Sequence, residues 1–140
     1  MTISDLGLAI LELFESYRSV AYQDQRGVWT CGYGHTGPEI KEHTTCTADQ
    51  AAVWLMTDVA HAESVASAVG GLTQHQFDAI TSFIYNVGEH AFKDSTLHTM
   101  LDAGDESAAA NQFLIWNRID GVVNEGLNRR RRVERALFLD

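Results

Sequence analysis

The stretch from Glu15 to Thr36 reads ESYRSVAYQDQRGVWTCGYGHT, and its reading decides the fold. Short β-branched and aromatic runs (Val20, Tyr22, Val28, Trp29, Tyr33) are cut by Gly27, Gly32 and Gly34, with Gly37, Pro38 and Ile40 just beyond. This pattern predicts a small antiparallel sheet with tight turns over residues 18–40. Upstream the period changes to that of a helix. Ser4 can cap it, Asp5 places a negative charge in its first turn, and Leu6, Ile10, Leu13, Phe14 and Tyr17 recur on one face. Glu15 arrives where that helix ends.

Downstream the chain reads as helical to its end. Thr47 to Gln50 (TADQ) is a capping box, which satisfies the first free amides of a helix. The helix it opens carries Leu55, Val59, Ala62, Ala66 and Val69 on one face and stops at Gly70-Gly71. Thr73 to Gln76 (TQHQ) repeats the device ahead of Phe77, Ile80, Phe83, Ile84 and Val87, ending at Gly88. Two short helices are expected over residues 95–104 and 105–116. A last one follows Gly126, with Leu127, Val133, Ala136 and Leu137 turned inward. One helix, a small sheet and five or six further helices make an α+β fold.

Composition sets the outer limits. The chain has 140 residues, so it is read as one domain (1–140) able to bury roughly two-thirds of its surface. No apolar run is long enough to span a bilayer, and Met1 to Leu13 lacks the basic start and small-residue cleavage site of a signal peptide. The net charge is −9, with residues 1–110 holding 15 acids against four bases (Arg18, Arg26, Lys41, Lys93). A nucleic-acid binder would need a basic face to neutralise phosphates, so that class is disfavoured. The two cysteines, Cys31 and Cys46, match neither a CxxC pair nor a zinc site. They are expected to be free thiols, Cys31 buried and Cys46 more accessible, with a disulfide as the lesser alternative in an oxidising compartment.

Three polar residues cluster around the sheet: Glu15 at a helix end, Asp24 in the first turn and Thr30 entering the glycine-rich hairpin. Cleavage of a glycosidic bond needs two carboxyls in different environments, one protonated to donate to the leaving oxygen and one ionised. Glu15, beside apolar Leu11 and Phe14, suits the donor, whereas Asp24, between Gln23 and Gln25, suits the ionised partner.

The block around this pair resembles the phage-type lysozymes, or endolysins, of glycoside hydrolase family 24. The likeness continues through TQHQFDAITSFIYNVG (73–88), AFKDSTL (91–97), FLIWN (113–117) and GLNRRRRVERALF (126–138), nearly the whole chain in the family's order. The resemblance implies a lysozyme-like fold with a small sheet-bearing lobe (roughly 16–46), a larger helical lobe (47–140 with the N-terminal helix) and a cleft between them. It implies hydrolysis of the β-1,4 bond between N-acetylmuramic acid and N-acetylglucosamine in peptidoglycan. Glu15 would be the catalytic acid, with Asp24 and Thr30 positioning the attacking water for inversion. Tyr33 and Gly34 of the GYGHT hairpin would line the cleft, and Ser95 and Asn86 are candidate saccharide contacts. His35 is read as a structural histidine partnered by Asp58, and Arg129 as facing Glu15.

No metal or cofactor is implied. The expected partner is peptidoglycan, with no nucleic acid, no stable membrane association and a monomeric state. Synthesis in the host cytoplasm and release to the wall in the periplasm, for instance through a holin lesion, also follow from the resemblance. One departure stands out. Ser16 replaces the glycine common after the catalytic Glu, a change expected to cost little if its φ stays negative. Cys31 replaces the usual Ile or Val. The arginines 129–132 point in several directions on a helix, so a structural or solvated role is expected. Trp29, Trp54 and Trp116 read as core.

Overall fold

The computed structural model describes residues 1–140. Helix α1 (Asp5–Glu15) leads into strands β1 (Arg18–Gln23), β2 (Trp29–Gly32) and β3 (His35–Thr36). Helices α2 (Ala48–Ser67), α3 (Gln74–Val87), α4 (Glu89–Lys93), α5 (Thr96–Asp102) and α6 (Glu106–Phe113) follow. A two-stranded hairpin, β4 (Arg118–Ile119) and β5 (Val122–Val123), precedes helix α7 (Glu125–Leu139). No helix is long and apolar enough to cross a membrane. The chain packs as two compact units, residues 9–60 and residues 1–8 with 61–140.

In the unit of residues 9–60 the sheet has the order β1-β2-β3, all antiparallel. Tyr22 lies opposite Thr30, and Thr30 opposite Thr36. Its core is Cys31, Ile40, Cys46 and Ala51, against which Ala21, Trp29, Tyr33 and Trp54 pack. Gly32 is required where β2 meets α2, because a Cβ there would sit 2.9 Å from that of Ala51. Cys46 is 8% exposed against 0% for Cys31, so it keeps the expected order but is itself buried. The reason lies in the backbone: the segment before α2 lies along β1, with Cys46 N donating to Ser19 O at 2.9 Å and Ala21 N to Thr44 O at 2.8 Å.

The other unit is built around α3, in which every residue from Gln76 to Ile84 is buried. The capping box at its start is present in full, with Thr73 and Gln76 exchanging bonds. Phe83 meets Phe113 and Trp116 edge-on at 5.4 and 5.5 Å between ring centroids. Burial of each such phenylalanine contributes about 2–3 kcal/mol. The N-terminal segment is tied here as well. Ser4 bonds Asp78 through both its amide and its hydroxyl, and Ile3 N donates to Glu63 at 2.8 Å. Gly7 permits this approach, since a Cβ would fall 2.8 Å from Asp78 Cγ.

Three further expectations are corrected. In α1, Leu6 and Leu13 are 48% and 70% exposed, while Leu11 and Gly7 are buried, so the buried stripe runs through positions 7 and 11. In α7, Val133 and Ala136 face solvent, and the inward positions are Arg130, Arg131, Glu134, Leu137 and Phe138. Charge can be buried there because each group finds a partner. Arg130 Nε donates to Glu134 Oε1 at 3.0 Å, Arg131 Nη1 lies 3.1 Å from Glu134 Oε2, and Ser82 Oγ donates to Oε1 at 2.9 Å. The Arg131 guanidinium stacks 4.9 Å from the centre of the Phe83 ring. Finally, the chain after the first sheet is not wholly helical. Asp120 and Gly121 adopt positive φ (50° and 79°) and turn the β4–β5 hairpin.

Candidate active site

Glu15, Asp24, Thr30, Tyr33, Gly34 and His35 all belong to the unit of residues 9–60. Glu15 is the last residue of α1 and is half-buried. The helix is ended by Ser16, whose amide donates to Glu12 O at 3.2 Å and whose φ is +55°. The expected negative φ is therefore not adopted; the chain turns here through the left-handed region that favours glycine. Gly34, at φ +85°, brings the β2–β3 turn against Glu15: a Cβ on it would lie 3.5 Å from Glu15 Oε2. Tyr33 beside it is half-buried and its ring is 5.7 Å from that of Tyr17. Burial and the charge of Glu12 raise the Tyr33 phenol above its ordinary range.

Asp24 and Thr30 are joined through Val28. Asp24 Oδ1 accepts the amides of Arg26 and Val28 at 2.8 and 3.0 Å, and Thr30 Oγ1 donates to Val28 O at 2.9 Å. The Val28 amide, opposed by partial burial and then assisted by the Arg26 amide and guanidinium, holds the Asp24 carboxyl below its ordinary value. Asp24 is thereby an ionised acceptor whose second oxygen lies 3.6 Å from Arg26 Nη2. Thr30 is 4% exposed, and because its hydroxyl proton is committed to Val28, its lone pairs are what it can offer.

His35 shapes the turn from behind. Its Nδ1 is 2.7 Å from Asp58 Oδ2, its Nε2 is 2.7 Å from Glu39 Oε1, and its ring stacks on Trp54 at 4.5 Å. Both nitrogens can donate only in the imidazolium form. Burial alone would push the imidazole down, but the bonds to Glu39 and Asp58 outweigh it and the net shift is upward. Asp58 is the expected partner. Glu39 escaped the reading of the sequence, although it stands four residues after His35, a spacing that could have suggested it.

The remaining candidates lie in the other unit. The Ser95 hydroxyl donates to Phe92 O at 2.6 Å and accepts from His98 N at 3.1 Å, so it is a buried helix cap rather than an open saccharide donor. Asn86 is exposed and its Oδ1 accepts from Arg131. Arg129 is on the exposed side of α7. Of its neighbours, Arg130 and Arg131 are buried on Glu134, which removes two of the four charges a nucleic-acid face would use.

Comparison with known proteins follows the same lines. The endolysin of Bacillus phage B103 is 41% identical over 99% of this chain, which spans 54% of that relative's length. The endolysin of Salmonella phage P22 is 39% identical over 99% of both chains. Among solved structures, the muramidase domain of SpmX from Asticaccaulis excentricus superposes with a TM-score of 0.93 at 34% identity, covering 99% of this chain and 98% of that one. A variant of P22 lysozyme superposes with a TM-score of 0.91 at 38% identity, covering 100% and 99%. The phage lysozyme family model matches residues 12–134. With its α+β, lysozyme-like fold, the chain belongs to the phage lysozyme family.

Proposed function

We propose that this protein is a bacteriolytic glycoside hydrolase that cleaves the β-1,4 bond between N-acetylmuramic acid and N-acetylglucosamine in peptidoglycan. Glu15 donates its carboxyl proton to the glycosidic oxygen as the bond from that oxygen to the anomeric carbon breaks. A water donating one hydrogen to Asp24 and the other to Thr30 Oγ1 presents its lone pair to the opposite face of the sugar. It attacks the anomeric carbon and passes a proton to Asp24, so the configuration inverts. Asp24 then releases its proton to solvent, and solvent reprotonates Glu15. The observation that carries this reading is the shared anchoring of Asp24 and Thr30 on Val28, which leaves one ionised acceptor and one hydroxyl lone pair fixed together.

The relatives are called endolysins and a muramidase, which supports a wall polysaccharide as the substrate. The reading uses no metal or cofactor. It places the work at the cell wall after synthesis in the host cytoplasm, with a membrane lesion such as a holin's as the route and a monomer as the working form. The deciding experiment is lysis of permeabilised cells by the wild type and Glu15→Gln side by side. The variant is isosteric but cannot act as an acid, so the rate is expected to fall at least about a hundredfold with the far-UV spectrum unchanged. Retained lysis would remove Glu15 from the acid's role.

A further inference from the structure

Two nucleophilic side chains in the sheet-bearing unit have no part in the hydrolysis. Cys31 in β2 is fully buried, Cys46 ahead of α2 is 8% exposed, and their sulfurs are 3.2 Å apart. They meet across the start of β1: Cys31 Sγ lies 3.7 Å from Arg18 O and 3.8 Å from Ser19 O, and Cys46 Sγ is 3.5 Å from Arg18 O. The backbone holds them there. β1 pairs with β2 on one side and with the segment of Thr44 to Cys46 on the other, and Tyr17 donates its hydroxyl to Cys46 O at 2.7 Å. Since a disulfide measures about 2.05 Å, the sulfurs need to close by only about 1.1 Å to bond.

We propose that Cys31 and Cys46 form a thiol–disulfide exchange site, whose co-reactant is a small-molecule or protein disulfide and whose product is an intramolecular Cys31–Cys46 bond. Cys46, the less deeply buried of the two residues, attacks first; its thiolate displaces one thiolate from the oxidant and leaves a mixed disulfide on Cys46. Cys31 then attacks the Cys46 sulfur, breaks the mixed disulfide and releases the second thiolate. The two cysteines lose two electrons and two protons, and the oxidant is reduced to two thiols. Burial, together with the neighbouring Cys31, raises the Cys46 thiol to about 11. Thiolate is therefore scarce at neutral pH, and exchange in the closed unit is slow; it runs during folding or when the unit opens. A protein made in a reducing compartment stays dithiol, and one that enters an oxidising compartment is stapled across the sheet that bears Thr30 and Gly34.

The test uses the full chain, refolded from denaturant in oxidised and reduced glutathione and compared with a sample kept in dithiothreitol. The expected product is monomeric, lighter by about 2 Da, without titratable thiol after denaturation, and higher in Tm by about 10 °C for a loop of this length. Cys31→Ser refolded alongside should keep a glutathione adduct on Cys46, because the resolving thiol is gone. Two titratable thiols in the denatured, oxidatively refolded wild type would overturn the proposal, as would a wild-type glutathione adduct that never resolves. None of these readouts depends on hydrolysis, so they separate this proposal from the assignment of the catalytic residues.

Discussion

Replacing Asp58 by Asn tests the His35 clamp, and the size of the effect follows from its geometry. The variant keeps the shape of the side chain but removes the charge that faces His35 Nδ1 at 2.7 Å. A hydrogen bond to a charged group contributes about 1.5–3 kcal/mol. The His35 and Asp58 side chains are 13% and 27% exposed, sheltered enough to keep most of that, so about 2 kcal/mol is expected. Glu39 also holds the imidazolium, but at 55% exposure it is screened by solvent, and it is untouched in Asp58→Asn, so the difference between the proteins reads the Asp58 bond. Because the folded imidazole titrates above its ordinary value, its contribution is fully present below about pH 6.5 and is lost as pH rises through the raised folded value. Thermal unfolding of the wild type and Asp58→Asn at pH 6 and pH 9 reads this directly. At pH 6 the variant should melt roughly 6–8 °C lower, and by pH 9 the gap should narrow to a fraction of that. An equal gap at both pH values would show that packing rather than the ion pair is what Asp58 supplies, and would refute the reasoning.

Two further outcomes are expected. Ser16→Gly relieves a left-handed residue that costs about 1–2 kcal/mol, partly offset by the greater freedom of glycine in the unfolded chain, so Tm should rise by about 3 °C; a fall would mean the Ser16 side chain supplies a stabilising contact. On the proposed mechanism, in which the Thr30 hydroxyl holds the attacking water, Thr30→Ala should lower kcat with little change in KM; a change confined to KM in single-turnover and steady-state kinetics would make Thr30 a substrate contact.

What could be read from the chain and what could not divides along physical lines. Apolar periodicity and capping chemistry are local, and they located α2 and α3, the caps at Thr47 and Thr73, and the glycine-cut sheet. The charged inward face of α7 was hidden from the same reasoning, because an apolar count passes over Arg130, Arg131 and Glu134, whose burial depends on Ser82 some fifty residues earlier. Likewise the exposure of Leu13 and the meeting of Cys31 with Cys46 are set by what packs where, not by spacing. The Asp120-Gly121 turn is a different case, since the dipeptide between Ile119 and Val122 is itself a local hairpin signal, legible without any tertiary contact. Within the site, residue types pointed to Glu15 and Asp24 as a carboxyl pair, and the family resemblance is what implied roles for them and for Thr30. That Asp24 and Thr30 hang on the same residue, Val28, is a matter of the folded turn and not of sequence.

The charged seam between α3 and α7 also bears on how this sequence can drift. Glu134 receives Arg130, Arg131 and Ser82, and Arg131 reaches on to Asn86, so removing the glutamate or either arginine leaves a charged partner short of its counter-charge out of water. Lysine is no substitute for Arg131, since a point charge cannot stack on Phe83 as the planar guanidinium does, nor for Arg130, whose fork divides its donors between Glu134 and Ser82. Single substitutions at positions 130, 131 and 134 should therefore be purged, while a concerted exchange for apolar residues of similar volume would be tolerated. Among descendants of this chain these positions should change together or not at all, leaving either the whole charged set or a wholly greasy seam.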